Sequence, residues 1–321
     1  MAIRGNSLLR IDAASLPDAS SLEMNFYDTS FFRSNSSHLP QLPSPASILQ
    51  QHSHHGASVV KYAHLNLAVK FGDASYLRIE EAQTMRALRQ LFVHGEVPVP
   101  EVFGWRRYGD QNFIYMSLIT GLTLREAWPL LDDNDKGSIC DDLSRIIKSL
   151  RTLTPSHPFI GTFAQSLCQC ENLLTPKPGS INGGTVQDRF FKLDYEKGPF
   201  PTIGSFNDWL LAAATRQKPK AGVITGPLRE YLPDKGEIYF THGDLTLGNI
   251  IISDTPGPRR IVGIVDWEQA GWYPEYWEYC KLLYGVEYSH EWRHAGWADT
   301  VMSPFEQEWE VFAEYSSWRC P

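Results

Sequence analysis

Apolar positions change their period along this chain, and the changes mark out its elements. Residues 1–43 are rich in Ser and Pro with little alternation, which implies a partly irregular N-terminal arm with DTSFF (28–32) tucked against the body. Ser44 and Pro45 in SPASILQQ fit an N-cap and a first helical residue, so a short helix is expected over 44–51. Val59, Val60 and Tyr62, then Leu67, Val69 and Phe71, mark two strands around a tight turn at His64–Asn66, which is a hairpin. The period then lengthens. Ala82, Met85, Leu88, Leu91 and Phe92 recur at helical spacing, and Gly95 is expected to end that helix. The prolines of EVPVPEVFGW favour extended chain, and NFIYMSLITG predicts another strand.

Beyond Gly121 the pattern becomes mainly helical. TLREAWPLL and DDNDKGSICDDLSRIIKSLRTL both predict helix, the second with an apolar stripe of Ile139, Leu143, Ile146, Ile147 and Leu150. Residues 154–205 are crowded with turn formers, and FNDWLLAAATRQ returns to helix. Two apolar runs, 249–252 and 261–265, flank SDTPGPRR and predict a strand pair. The aromatic tail from Trp267 to Trp318 is expected to be helical. No repeat or coiled-coil heptad occurs. The resulting order is α+β and bilobal: the arm at 1–43, a small β-rich N-lobe at 44–118, and a larger, mainly helical C-lobe at 119–321.

Composition narrows the classes. With 321 residues, 42% hydrophobic and 21% charged, the chain suits one large domain or two lobes. A formal net charge of -8 argues against a basic nucleic-acid face. The five cysteines are scattered and odd in number, unlike a secreted disulfide framework, and Cys168 and Cys170 lack a second pair at zinc-like spacing. The opening twenty residues lack a signal-peptide apolar run, and no stretch of about 18 apolar residues occurs. These features predict a cytoplasmic protein with no membrane, nucleic-acid or obligate protein partner.

The candidate chemistry lies in IYFTHGDLTLGNII, residues 238–251. A strand-like run leads into His242-Gly243-Asp244, Asn249 opens the next run, and Asp266 closes the one after it. Three oxygen-bearing side chains at the ends of short rigid elements suit a hard cation such as Mg²⁺, with one carboxylate left to accept a proton. That division is the one phosphoryl transfer needs. The spacing H-x-D-x₄-N with a later strand-end Asp matches the protein-kinase catalytic loop and its metal aspartate. Gly243 stands where that motif has Arg, Trp267-Glu268 follow the second Asp, and no Ala-Pro-Glu segment follows.

HGDLTLGN and IVDWE, together with LAVKFG, PVPEVFGW, FIYMSLITGLTLREAW and GWYPEYWEY, resemble the aminoglycoside phosphotransferase and choline-kinase-like family, in a branch common in filamentous fungi. The resemblance runs from about residue 43 to near the C-terminus. It implies a protein-kinase-like fold with ATP and Mg²⁺ between the lobes, and transfer of the γ-phosphoryl to a hydroxyl of a small molecule. Asp244 then corresponds to the catalytic base, and Asn249 and Asp266 to the metal ligands. Lys70 corresponds to the lysine on the α/β-phosphates, and Glu81 to its ion-pair partner, with Glu80 as the alternate. Residues 116–120, Met116 and Leu118 among them, correspond to the hinge that meets the adenine edge. His242 corresponds to a brace for the loop. The chain departs from the pattern ahead of Val59, where QQHSHHGASVV has one glycine, Gly56, and leaves Ser53, Ser58 and backbone N–H groups for phosphate.

Other readings of these residues stand beside the resemblance. Asp244, Asn249 and Asp266 are also common turn residues at strand ends, and Lys70 could face outward on an alternating strand. His52, His54 and His55 are either a metal cluster or a polar loop. The aromatic tail is either core or the lining of an acceptor pocket. Glu268, Glu275 and Glu278 either meet a cationic substrate or form a solvated acidic helix start. Asp188 and Arg189 are candidates for the cleft rim. A catalytically weak pseudokinase is the main rival function and a protein kinase a lesser one, while the absence of a G-x-S-x-G elbow disfavours an esterase.

Overall fold

The computed structural model describes residues 9–33, 40–52, 56–155, 179–191, 197–216, 226–254 and 258–319. The N-terminal region holds β1 (Leu9–Ile11), β2 (Glu23–Asn25), α1 (Ser30–Arg33), α2 (Pro45–Gln51), β3 (Ala57–Tyr62), β4 (Leu67–Asp73), α3 (Glu80–Leu91), β5 (Val102–Tyr108) and β6 (Gln111–Ser117). Five of these strands make one antiparallel sheet in the order β2-β5-β6-β4-β3. Alternation along β4 gives the sheet two buried faces. Leu67, Val69 and Phe71 pack with Phe31, Phe32 and Ile48 on one side. Ala68 joins Met85 and Leu88 of α3 in the core on the other, the side to which Lys70 also turns.

The arm is more ordered than its composition implies. β1 pairs in parallel with β8 (Leu153–Pro155), and β2 forms the sheet edge with Met24 opposite Trp105. Phe26 packs edge-on against Trp105 at 5.4 Å, and Arg86 of α3 binds Asp28 at 2.9 Å. These partners lie far away in sequence, so local composition does not reveal them. Ser44 caps α2 by accepting the Ser47 N–H, with Pro45 in the first turn. Helix α3 ends at Leu91 with Phe92 as its cap, and Gly95 turns the chain three residues later, where its N–H reaches Phe92 O at 3.1 Å.

The second region comprises β7 (Leu122–Thr123), α4 (Leu124–Ala127), α5 (Asp133–Leu150), β8, α6 (Ile203–Thr215), β9 (Ile238–Thr241), β10 (Ile250–Ile252), β11 (Ile261–Ile264), β12 (Gly271–Pro274), α7 (Trp277–Tyr284), α8 (Glu291–His294), α9 (Trp297–Val301) and α10 (Glu306–Arg319). The expected stripe of α5 is buried. β10 and β11 pair antiparallel as expected. The tail is not wholly helical: GWYP forms β12, paired antiparallel with β9, with Trp272 beside Phe240 in one apolar cluster and Tyr273 in another. One apolar cluster runs from α3 and β5 through α5 to Phe240 and Trp272, so both regions share a core. A second gathers Phe206, Trp277, Phe312 and Tyr315 from α6, α7 and α10. The architecture is α+β, with a sheet-rich N-terminal region and a helical C-terminal region. Among the described residues, no helix is long and apolar enough to cross a membrane.

Candidate active site

The loop after β9 requires its glycine. Gly243 has φ +74°, and a Cβ there would lie 2.7 Å from the Gln269 carbonyl oxygen. Its neighbour His242 is fully buried. Nδ1 of His242 accepts the Asp244 N–H at 3.2 Å, which leaves Nε2–H to donate to Val265 O at 3.0 Å. The ring lies 4.5 Å from that of Trp267, and burial lowers its pKa to about 4, so it is neutral. His242 thus ties the loop to the chain just ahead of Asp266, and a second bond, Val265 N–H to Asn249 O at 2.9 Å, closes the same junction.

Asp244 and Asn249 meet on this loop. Asn249 Nδ2 donates to Asp244 O at 2.8 Å and to Oδ2 at 3.2 Å. Burial raises the Asp244 carboxyl to about 6, with Lys281 and Arg189 opposing and Asp266 reinforcing. The carboxyl therefore changes protonation state closer to neutral pH than an exposed aspartate does.

Lys70 joins the two regions. Its Nζ lies 2.8 Å from Glu81 Oε2, 2.6 Å from Asp266 Oδ1 and 3.2 Å from Glu268 Oε2. It is buried and faces inward, and Glu81 rather than Glu80 reaches it. Burial alone would depress the ammonium, but the three carboxylates outweigh it and hold Lys70 above the ordinary lysine range. Glu81, the deepest of the three, is pushed up to about 7 by burial, against the pull of Lys70. Asp266 stays below its usual value, because Lys70 outweighs its burial. Ligand atoms of Glu81, Asp266 and Glu268 lie within 4.8 Å of one another, the spacing of a metal cage. The ammonium of Lys70 already satisfies that cage, so it is a lysine site. Asp266 has φ +66°, a left-handed conformation uncommon for a residue with a side chain and frequent where strain serves function.

The acidic residues after Asp266 do not form a solvated helix start. Glu268 bridges Lys70 and Arg189, whose Nε donates at 3.0 Å. Glu275, half-buried, accepts the Glu237 N–H at 3.4 Å. Glu278 is 1% exposed and accepts the backbone N–H groups of His242 at 2.6 Å and Gly243 at 3.2 Å. Burial raises its pKa to about 7, partly offset by those two N–H groups. Glu278 therefore fixes the loop that carries Asp244, a role that sequence reasoning missed. The available signal was a Glu in the first turn of an aromatic-rich helix, where a carboxylate that becomes buried must have donors.

Asp188 and Arg189 part company. Asp188 is 2% exposed and belongs to the core, with Lys281 at 3.0 Å and the Trp277 indole N–H at 3.0 Å. Arg189 is largely exposed beside Glu268. The hinge segment is also committed in part. Met116 sits between Ala68 and Val102 in the sheet, and the Leu118 N–H donates to Asn66 O at 3.0 Å, so that amide is taken. Gly56 enters β3 with φ +78°. His52 caps α2 through its backbone, while Ser53, His54 and His55 lie outside the described residues, as do Cys168, Cys170 and Cys320. Cys140 and Cys280 are buried free thiols, and Trp272, Tyr273, Tyr276, Trp277 and Tyr279 are core.

A family model described as the phosphotransferase enzyme family matches residues 54–315. The chain belongs to that family. Among solved structures, the aminoglycoside phosphotransferase APH(3'')-Id of Streptomyces rimosus is 15% identical, with 84% of this chain and 91% of that chain covered and a TM-score of 0.49. APH(2")-IIia, solved with GDP and kanamycin, is 13% identical, with 85% of this chain and 86% of that chain covered and a TM-score of 0.48. A search of curated proteins finds no match. The phosphotransferase family match spans Lys70, Glu81, Asp244, Asn249 and Asp266 alike.

Proposed function

We propose that this phosphotransferase moves the γ-phosphoryl of ATP to a hydroxyl of a small molecule, with Asp244 as the base. The carrying observation is that two hydrogen-bonded pairs, Asn249–Asp244 and Lys70–Asp266, lie at one junction, where the Val265 N–H bonds Asn249 O and Asp266 acts electrostatically on Asp244. In this reading Asp244 accepts the acceptor's proton, and its raised pKa suits a base near neutral pH. Lys70 turns from Asp266 to the α/β-phosphates while its ammonium keeps the Glu81 carboxylate. His242 and Glu278 keep the loop fixed, so that little reorganisation accompanies transfer. The adenine edge meets backbone groups of 116–120 other than the Leu118 amide.

The donor set fits Mg²⁺. Asn249 spends its amide nitrogen on Asp244, which leaves its oxygen for a cation, and the Asp266 side chain is 28% exposed with Lys70 on one oxygen. Asn249 and Asp266 would hold the ion, which when bound would offset charge on the phosphate oxygens.

A second reading, a nucleotide-binding module with weak turnover, is favoured by the single glycine ahead of β3 and by the paired Leu118 amide. Incubation with Mg²⁺, γ-labelled ATP and a metabolite extract separates the two. Label in a small molecule, lost in Asp244→Ala, supports the enzyme. Stabilisation by Mg·ATP without any transfer supports the module, and no response to millimolar nucleotide defeats both.

A further inference from the structure

Three carboxylates share the ammonium of Lys70, and they are not equivalent. Glu81 Oε2 lies 2.8 Å from Nζ, Asp266 Oδ1 2.6 Å and Glu268 Oε2 3.2 Å. When Lys70 turns toward the α/β-phosphates, it keeps Glu81, and Asp266 passes to the cation that it would hold with Asn249. Glu268 alone loses its share of Lys70. Its side chain is 13% exposed, too little for water to replace the lost charge.

Arg189 is the group that can replace it. Its Nε at 3.0 Å and its Nη2 both donate to Glu268 Oε1, the oxygen that Lys70 does not touch. A guanidinium fork matches both oxygens of a carboxylate, so Arg189 can take Oε2 as Lys70 gives it up. Arg189 is also held in place. Its backbone N–H donates to Gln269 Oε1 at 3.0 Å, and Lys281 Nζ donates to the same oxygen at 3.2 Å. Its neighbour Asp188 is buried on Lys281 and the Trp277 indole. The segment that carries Arg189 is therefore tied to Glu268 and Gln269, just past Asp266.

Resting on the nucleotide-binding part of the reading above, we propose that Glu268 and Arg189 set the nucleotide's affinity by charge exchange: Glu268 competes with the phosphates for Lys70, and Arg189 takes over Glu268 when Lys70 turns. Arg189 is then a positioning residue that acts through Glu268 and does not itself meet the phosphates.

Isothermal titration with Mg·ATP gives the dissociation constants of the parent, Arg189→Gln, Glu268→Gln and the double variant, with circular dichroism confirming that each is folded. Arg189→Gln is expected to weaken binding about tenfold or more, because it strands Glu268. Glu268→Gln should tighten binding about threefold. With Glu268 already replaced, Arg189→Gln should change affinity less than about twofold, since the carboxylate that needed it is gone. Arg189→Lys, a point charge without the fork, should fall between the parent and Arg189→Gln, and it carries the same comparison if Arg189→Gln does not fold. An equal loss from the Arg189 substitution in both backgrounds overturns the proposal, because Arg189 would then meet the phosphates directly. Weaker binding in Glu268→Gln overturns it too, because Glu268 would then hold the nucleotide or its cation. Unchanged affinity in both single variants also overturns it. Those outcomes in a parent that binds ATP sink this inference alone, whereas a parent that does not bind ATP sinks the nucleotide-binding reading with it.

Discussion

Lys70 Nζ lies 2.6 Å from Asp266 Oδ1, although 196 residues separate the two in the chain. One ammonium balances three carboxylates there, so removing it leaves buried charge without a partner. Lys70→Met is expected to lower stability at pH 7.5 by about 3–5 kcal/mol. Part of that loss should return at pH 5, as the orphaned carboxylates take up protons. Urea denaturation at the two pH values measures both effects, and equal losses at each would contradict the account.

Gly243→Ala forces a Cβ toward the Gln269 carbonyl at a positive φ. The expected cost is about 1–3 kcal/mol of strain. Because the strain falls on the loop that carries Asp244, phosphotransfer should drop further than the fraction folded. Circular dichroism melting combined with a transfer assay separates the two.

Glu278 gives a pH signature. Its pKa is raised from the usual glutamate range to about 7, so the folded protein binds its proton more tightly than the unfolded chain. Its ionisation therefore lowers stability as pH rises from about 4.5 through about 7, by about 3 kcal/mol at full effect. Glu278→Gln does not titrate. The stability difference, parent minus variant, should fall across that window and level off above it, and a flat difference between pH 4.5 and 7.5 would rule this out.

Asp188→Ala should behave as a core mutation, because it strands the Lys281 ammonium and the Trp277 indole N–H. The expected loss is about 3–5 kcal/mol. A variant with parental stability and an altered acceptor KM would instead place Asp188 on the rim of the cleft.

Sequence spacing disclosed the parts of the site whose geometry is local. Asp244 and Asn249 sit five residues apart on one loop, and Lys70 and Glu81 are joined by a hairpin edge and one helix turn, so motif and period place them. The supports were hidden because their partners come from distant elements. The aromatic neighbours of Glu278 hint at burial but do not name its partner, His242, 36 residues earlier, and nothing near Asp188 announces Lys281, 93 residues on. Strand β2 was missed for a related reason: LEMN alternates poorly on its own and becomes a strand only by adding to the edge offered by β5. GWYP was absorbed into a helical tail because its aromatic residues suit either element, and pairing with β9 decides.

The most direct measurement is the transfer rate of Asp244→Asn with saturating Mg·ATP and whatever acceptor the parent labels. General-base loss predicts a fall of about 10²–10⁴-fold in kcat, with the nucleotide dissociation constant little changed. A variant that transfers phosphoryl at the parental rate would contradict the assignment of Asp244 and the mechanism built on it.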